Sequence, residues 1–203
     1  MSKNRTCLHL ACGSVYLKSD KVNNWINIDI QLPESYLASE VPQLREYNET
    51  DFEHYYKQVV TRDTFLGGSL QHKAIVCDMF ADIRYLPYKK ESVDEILAVQ
   101  VFEHFSYSEG KDILKYWGSL LKKGGVMHID IPDLDGTVEV YRKDPEWGTR
   151  LLYGSQKNEY GIHKAMYTRK TLCELFSSVG LEHLELQPNF HSYPAFGLRG
   201  IKA

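Results

Sequence analysis

Residues 8–17 read Leu8-His9-Leu10-Ala11-Cys12-Gly13-Ser14-Val15-Tyr16-Leu17, a short apolar run that passes straight into small residues. Such a run predicts a buried strand, and small residues after it let the backbone approach a ligand closely. One glycine, Gly13, stands where nucleotide-binding loops carry two or three, so the loop alone is a weak sign. Working outward, Trp25 to Ile30 (WINIDI) is a second apolar run, with Asp29 lying 16 residues after Gly13. An acid at the end of a second strand can accept hydrogen bonds from both hydroxyls of a ribose.

Further strand-like runs follow at Ala74 to Cys77, Glu95 to Val99 and Val126 to Ile131. Each is nearly continuous in apolar residues, as strands buried on both faces should be. Between the fourth and fifth runs, Ser106-x-x-Glu109 has the form of a capping box, and Ile113, Leu114, Trp117, Leu120 and Leu121 follow at helical spacing. Lys122-Lys123-Gly124 is expected to close that helix. A second helix is expected from Thr168 to Gly180, followed by strands at Leu184 to Leu186 and Leu198 to Lys202 joined through PNFHSYPAF. Strand alternating with helix, with a hairpin at the end, predicts an α/β fold with an open, mostly parallel sheet and helices on both faces. The chain reads as one domain over residues 1–203, with cap insertions at about 31–73 and 132–167. Both insertions leave from the carboxyl edge of the sheet, where open α/β sheets bind ligands. Their aromatic residues, among them Tyr141, Trp147, Tyr153 and Tyr160, suit either stacking on a ring or sugar, or packing of the cap itself.

A net charge of −3 supplies no general attraction to nucleic acid, which is disfavoured as a partner. No apolar run approaches a membrane span and the start is polar, so a cytoplasmic protein without membrane contact is expected. Four cysteines without a CxxC pair read as reduced thiols. There is no G-x-S-x-G elbow, no phosphate-binding G-x-x-x-x-G-K-[ST] and no G-x-G-x-x-G.

Taken in order, LHLACG, NWINIDI, DIRYLPYKKESVD, VQVFEHF, LLKKGGVMHIDIPD and HKAMYTRKTLCELFSSVGL resemble the motifs of the class I S-adenosylmethionine (SAM)-dependent methyltransferases, in the compact type-11-like group. The resemblance implies a Rossmann-like seven-stranded sheet with an antiparallel last strand. It implies SAM as cofactor and S-adenosylhomocysteine as its product. By the same resemblance Ala11, Cys12, Gly13 and Ser14 wrap the methionine portion, Asp29 holds the ribose and Ile30 packs beside the adenine. Asp82 and Ile83 meet the adenine, Val99, Gln100 and Val101 lie along the sulfonium side, and Asp78 ranks after Asp82. Asp78 also reads as a turn cap. Three positions depart from the pattern: His9 stands where many relatives are acidic, and Ala11 and Ser14 replace glycines. Ala11 is expected to be tolerated in an ordinary backbone region.

Methyl transfer from SAM rests mostly on alignment, and a base is needed only where the acceptor must lose a proton. His104 is the first candidate base, with Glu103 and His163 beside it; the Glu-His pair also reads as a fastening of its own loop. Some methyltransferases of this fold bind a divalent cation through Glu-x-x-Glu-His. Gln100 occupies the first carboxylate position here, so no metal is expected. The resulting expectation is methyl transfer to a small-molecule or glycan-type acceptor by a monomer or homodimer. A SAM-fold protein without turnover is the alternative, motivated by the altered loop.

Overall fold

The computed structural model describes residues 4–67 and 74–203, so residues 68–73 of the first insertion lie outside it. In chain order the strands are β1 (Arg5–Leu10), β2 (Asn23–Asp29), β3 (Ser35–Leu37), β4 (Ile75–Cys77), β5 (Met79–Phe80), β6 (Val93–Val99), β7 (Leu121–Pro132), β8 (Leu181–Gln187) and β9 (Ala195–Lys202). The helices are α1 (Pro42–Asn48), α2 (Phe52–His54), α3 (Arg62–Leu66), α4 (Tyr107–Leu120), α5 (Leu134–Lys143), α6 (Pro145–Tyr153) and α7 (Arg169–Ser178). A π-helical turn, Tyr55–Val59, continues α2.

Seven strands form one sheet in the order β5-β2-β1-β6-β7-β9-β8. All neighbours are parallel except β9, which runs antiparallel to both β7 and β8. The expected sheet with its antiparallel last strand is therefore present. The run at Ala74 to Cys77 departs from expectation: Ile75–Cys77 pairs with β3 in a separate two-stranded sheet, and Met79–Phe80 takes the edge beside β2. Asp78 marks the changeover, its carboxylate accepting the Asn27 backbone N–H at 2.7 Å and the Asn27 side-chain amide at 2.9 Å.

One face of the sheet carries the main core, and the other mixes buried apolar residues such as Cys7, Leu97 and Val99 with polar ones. Leu8, Leu10, Ile28, Ile96, Ala98, Met127 and Ile129 belong to one buried core together with Ile113, Leu114 and Trp117 of α4 and Leu172 and Phe176 of α7. The alternate positions include buried His9, Asn27, Asp29 and Asp130. On that face His9 Nδ1 lies 3.1 Å from Asn27 Oδ1 and its ring meets Phe52 edge-on at 5.3 Å. The connections 11–22 and 81–92 carry no helix.

The capping box at Ser106 and Glu109 forms as read, and Trp117 donates from Nε1 to the Ile83 carbonyl at 2.8 Å. Lys122 and Lys123 do not close α4, which ends at Leu120 without a basic residue in its last turn. They already belong to β7, where Lys122 pairs with Asp94 at 2.6 Å. The four cysteines are free thiols, with Cys7, Cys12 and Cys77 buried. Among the described residues no helix is long and apolar enough to cross a membrane.

A second, smaller core joins the two insertions. Val60, Trp147, Leu151, Tyr193 and Ala195 are its buried members. Phe65 meets Trp147 at 5.5 Å, and Arg62 Nε donates to Asp144 Oδ2 at 2.5 Å.

Burial lowers the His9 pKa from 6.5 to about 4. Between those values the unfolded chain takes up a proton that the folded chain refuses, so this histidine's contribution is full above pH 6.5 and falls with pH below it. From pH 6.5 to pH 5 the loss is about 2 kcal/mol. Denaturant titrations at pH 7 and pH 5 are expected to show the parent losing about that much more stability than His9→Gln over the same interval. Equal losses would show that His9 is protonated in the fold.

Candidate functional site

Two adjoining cavities open around the ends of β1, β2 and β6. The first occupies about 300 Å³ and is lined by Ala11, Asp29, Ile30, Asp82, Ile83 and Val101, among others. The second, of about 280 Å³, has Tyr55, Tyr56, Phe65, Trp147 and Tyr193 in its wall and Glu103 and His163 beside them. Gln100, His104 and Tyr160 line both.

The loop after β1 is tied to β2. Gly13 N–H donates to Asp29 Oδ2 at 2.8 Å, and Ile30 N–H donates to Asp29 Oδ1 at 2.8 Å. The Cys12 side chain also bonds this carboxylate, which leaves one of its four acceptor positions for a hydroxyl donor from the cavity. Burial raises the Asp29 pKa against these two backbone bonds. Ala11 does not keep the ordinary backbone region expected of it: its φ is +51°, as Gly13 has +55°. The β1–β2 turn imposes left-handed geometry at both positions, and alanine accepts it with strain of about 1–2 kcal/mol.

Of the other residues implied for the cofactor, Ser14 lines the second cavity rather than the first. Cys12, Gly13, Asp78 and Val99 line neither cavity. The Cys12 thiol points to the Val76 carbonyl at 3.6 Å, and Val99 is buried. The Asp78 carboxylate is committed to Asn27 and to the Tyr16 hydroxyl, which donates at 2.6 Å. Asp82 reaches the first cavity while gripped by Arg84, whose guanidinium holds its pKa down.

Gln100 also has a left-handed backbone, φ +53°. Its N–H donates to the Asp130 carbonyl at 2.8 Å and its Nε2 to Asp130 Oδ1 at 2.9 Å. The Tyr193 hydroxyl donates to its Oε1 at 3.2 Å. Asp130 Oδ1 also lies 2.6 Å from His191 Nε2. Sequence reading missed His191 and Tyr193 because they fall in the stretch read as a plain connection.

The three candidate bases come together. The Glu103 carbonyl accepts the N–H groups of Lys164 and Ala165, at 2.8 and 3.1 Å, which lays residues 162–165 along the 103–104 turn. Gly154 permits the approach, since a Cβ there would sit 2.3 Å from the Gly161 carbonyl and 2.8 Å from the His163 ring. His104 Nδ1 lies 2.9 Å from the Ile162 carbonyl, and His163 Nδ1 2.9 Å from the Leu151 carbonyl. A carbonyl only accepts, so both rings carry the proton on Nδ1 and leave Nε2 as a bare lone pair. Burial lowers both pKa values, that of His163 to about 4. Glu103 is 1% exposed, neither carboxylate oxygen has a hydrogen-bond partner, and burial raises its pKa to about 8. Ligand-type atoms of Glu103, His104 and His163 lie within 4.8 Å of one another, and Glu103 Oε1 is 3.9 Å from His163 Nε2. A tetrahedral metal bound at about 2.1 Å sets its ligands only about 3.4 Å apart.

The profile of a methyltransferase-domain family matches residues 45–129, which leaves β1, its loop and Asp29 outside the match. No curated protein matches the chain. The fold is that of several solved methyltransferases. One is a SAM-dependent methyltransferase from Thermotoga maritima, described as a possible histamine N-methyltransferase (14% identity, TM-score 0.54, 100% of this chain and 84% of that one). Another is an O-methyltransferase family 2 protein from Planctomyces limnophilus in complex with apigenin (14%, 0.59, 100% and 51%). A third is the magnesium protoporphyrin IX methyltransferase of Synechocystis with bound S-adenosylhomocysteine (11%, 0.57, 98% and 75%). At these identities the likeness is one of fold. The fold is the one these solved SAM-dependent methyltransferases share, and the methyltransferase-domain match covers residues 45–129 of it.

Two outcomes follow. Ala11→Gly relieves the strained turn at some cost in unfolded-state entropy, so its melting temperature is expected to rise by about 1–3 °C. An unchanged or lower value would mean that the loop does not hold Ala11 in the left-handed region. Asp29→Ala removes a charge-assisted acceptor and is expected to weaken S-adenosylhomocysteine binding, measured by calorimetry, by about 10- to 100-fold. Undiminished binding would place the ribose elsewhere.

Proposed function

We propose that the enzyme transfers the SAM methyl group to a small molecule held in the second cavity, the insertions at about 31–73 and 132–167 forming the wall that encloses it. The meeting of the two cavities at Gln100, His104 and Tyr160 carries this reading. Ala11, Asp29, Ile30, Asp82, Ile83, Gln100 and Val101 would hold the cofactor, which supplies an activated methyl group when bound. Gln100, fixed by Asp130 and Tyr193, sets the boundary between cofactor and acceptor. The aromatic wall binds a ring by stacking, and such rings exclude water from the reacting atoms. Glu103, whose raised pKa suits proton uptake near neutrality, is the base, and His104 and His163 supply neutral acceptors beside it.

Methyl-labelled SAM and a panel of phenols, amines and monosaccharides test the reading. With any acceptor that takes label, Glu103→Gln is expected to lower turnover by about 100-fold or more while S-adenosylhomocysteine affinity stays within about twofold. A matching loss of cofactor affinity would merge the two cavities into one cofactor site. Absence of label in every panel member, with cofactor bound, would overturn the small-molecule reading.

A further inference from the structure

Resting on that reading, we propose that the second cavity takes its acceptor as a cation, an arylalkyl amine whose ammonium group docks among Glu103, His104 and His163. Three groups converge there: the Glu103 carboxyl, both oxygens unpartnered, and the rings of His104 and His163, each tied to a carbonyl through Nδ1. Around them stand Tyr55, Tyr56, Phe65, Trp147, Tyr160 and Tyr193. The single Lys or Arg among the described residues of the lining, Arg150, donates to the Ser155 carbonyl at 3.2 Å. A buried carboxyl, lone pairs and aromatic faces are the complement of an organic cation.

A tetrahedral nitrogen donating bonds of about 2.8 Å sets its acceptors about 4.6 Å apart. The trio, at 3.9 Å for one pair and within 4.8 Å throughout, falls between that spacing and the tighter shell of a transition metal, so the aromatic lining is what favours an organic cation.

The chemistry balances. An ammonium proton passes to the Glu103 carboxylate, leaving the amine nitrogen with a lone pair. That pair forms the new N–CH₃ bond as the S–CH₃ bond of the sulfonium breaks, and the electrons of the broken bond stay on sulfur. The product leaves as an N-methylammonium ion, and Glu103 returns its proton to water.

The titratable groups around Glu103 are His104, His163, Asp130, Tyr56, Tyr167 and Tyr193. Burial lowers both histidine pKa values and raises those of the three tyrosines, which keeps the rings neutral and the hydroxyls protonated near neutrality, so the linked proton is assigned to Glu103.

Calorimetry on the parent saturated with S-adenosylhomocysteine tests the proposal, with benzylamine and phenethylamine as probes and the corresponding alcohols as neutral controls. At pH 7 each amine is expected to bind about tenfold or more tighter than its alcohol. Amine binding ionises Glu103 and is expected to release about one proton, read from the dependence of the heat on buffer ionisation enthalpy. Glu103→Gln is expected to cancel the amine's advantage and the proton release, leaving alcohol binding within about twofold. The parent measurement stands alone if that variant does not fold. Amines binding no tighter than alcohols would overturn the proposal, as would stoichiometric binding of Zn²⁺ or Mn²⁺ that Glu103→Gln abolishes. Failure of the parent to bind S-adenosylhomocysteine at all would instead sink the reading beneath it.

Discussion

Gln100, at the junction of the two cavities, hangs from the buried Asp130 carboxylate. That carboxylate is fully buried at the carboxyl end of β7, and a single oxygen serves both Gln100 Nε2 and His191 Nε2. An unpaired charge at such depth would be costly, so these partners are held firmly. Gln100 is fixed by side chain and backbone together, which explains how a non-glycine residue keeps a left-handed conformation at a cavity wall. Through His191 the same carboxylate draws the β8–β9 connection over the sheet. The His191 ring then meets Tyr56 at 4.6 Å and Tyr193 at 4.9 Å, so one buried acid organises strand, connection and aromatic wall.

The unhelical connection 11–22 shows how the other face is maintained. The Asn27 amide accepts from Leu17 N–H and donates to the Leu17 carbonyl, both at 2.9 Å, giving that loop the pair of bonds a neighbouring strand would give. Beside it His9 stands buried between Asn27 and Phe52. The polar residues that look out of place in apolar strand runs are thus the fastening points of a loop and of the first insertion.

Legibility in the sequence followed the range of the interactions. The apolar runs, the Ser106–Glu109 cap and the Gly13-to-Asp29 spacing depend on neighbours or on strand ends, and each was readable. The transfer of Ile75–Cys77 to a second sheet was not, because it depends on the Asp78 carboxylate meeting β2 across the fold. Nor was the left-handed Ala11, whose strain is set by how the turn meets Asp29 rather than by its own residue type. The aromatic wall of the second cavity was the least readable part. Its rings come from 55–65, 147–160 and 193, and their periodicity within each stretch looks like ordinary cap packing.

Glu103 sets the energetic limit on this design. Moving its pKa from 4.5 to about 8 means that the ionised form is disfavoured in the fold by about 5 kcal/mol. The stability linked to it is full below pH 4.5 and falls as pH rises toward 8, opposite in sense to His9. A leucine or methionine at that position would remove the liability, and the neighbouring aromatic residues show that the chain builds apolar packing there readily. On the proposed reading the carboxyl has its use in the bound state. A ligand that supplies the missing positive charge recovers the lost stability as binding free energy, which makes the most costly residue of the cavity the most selective one.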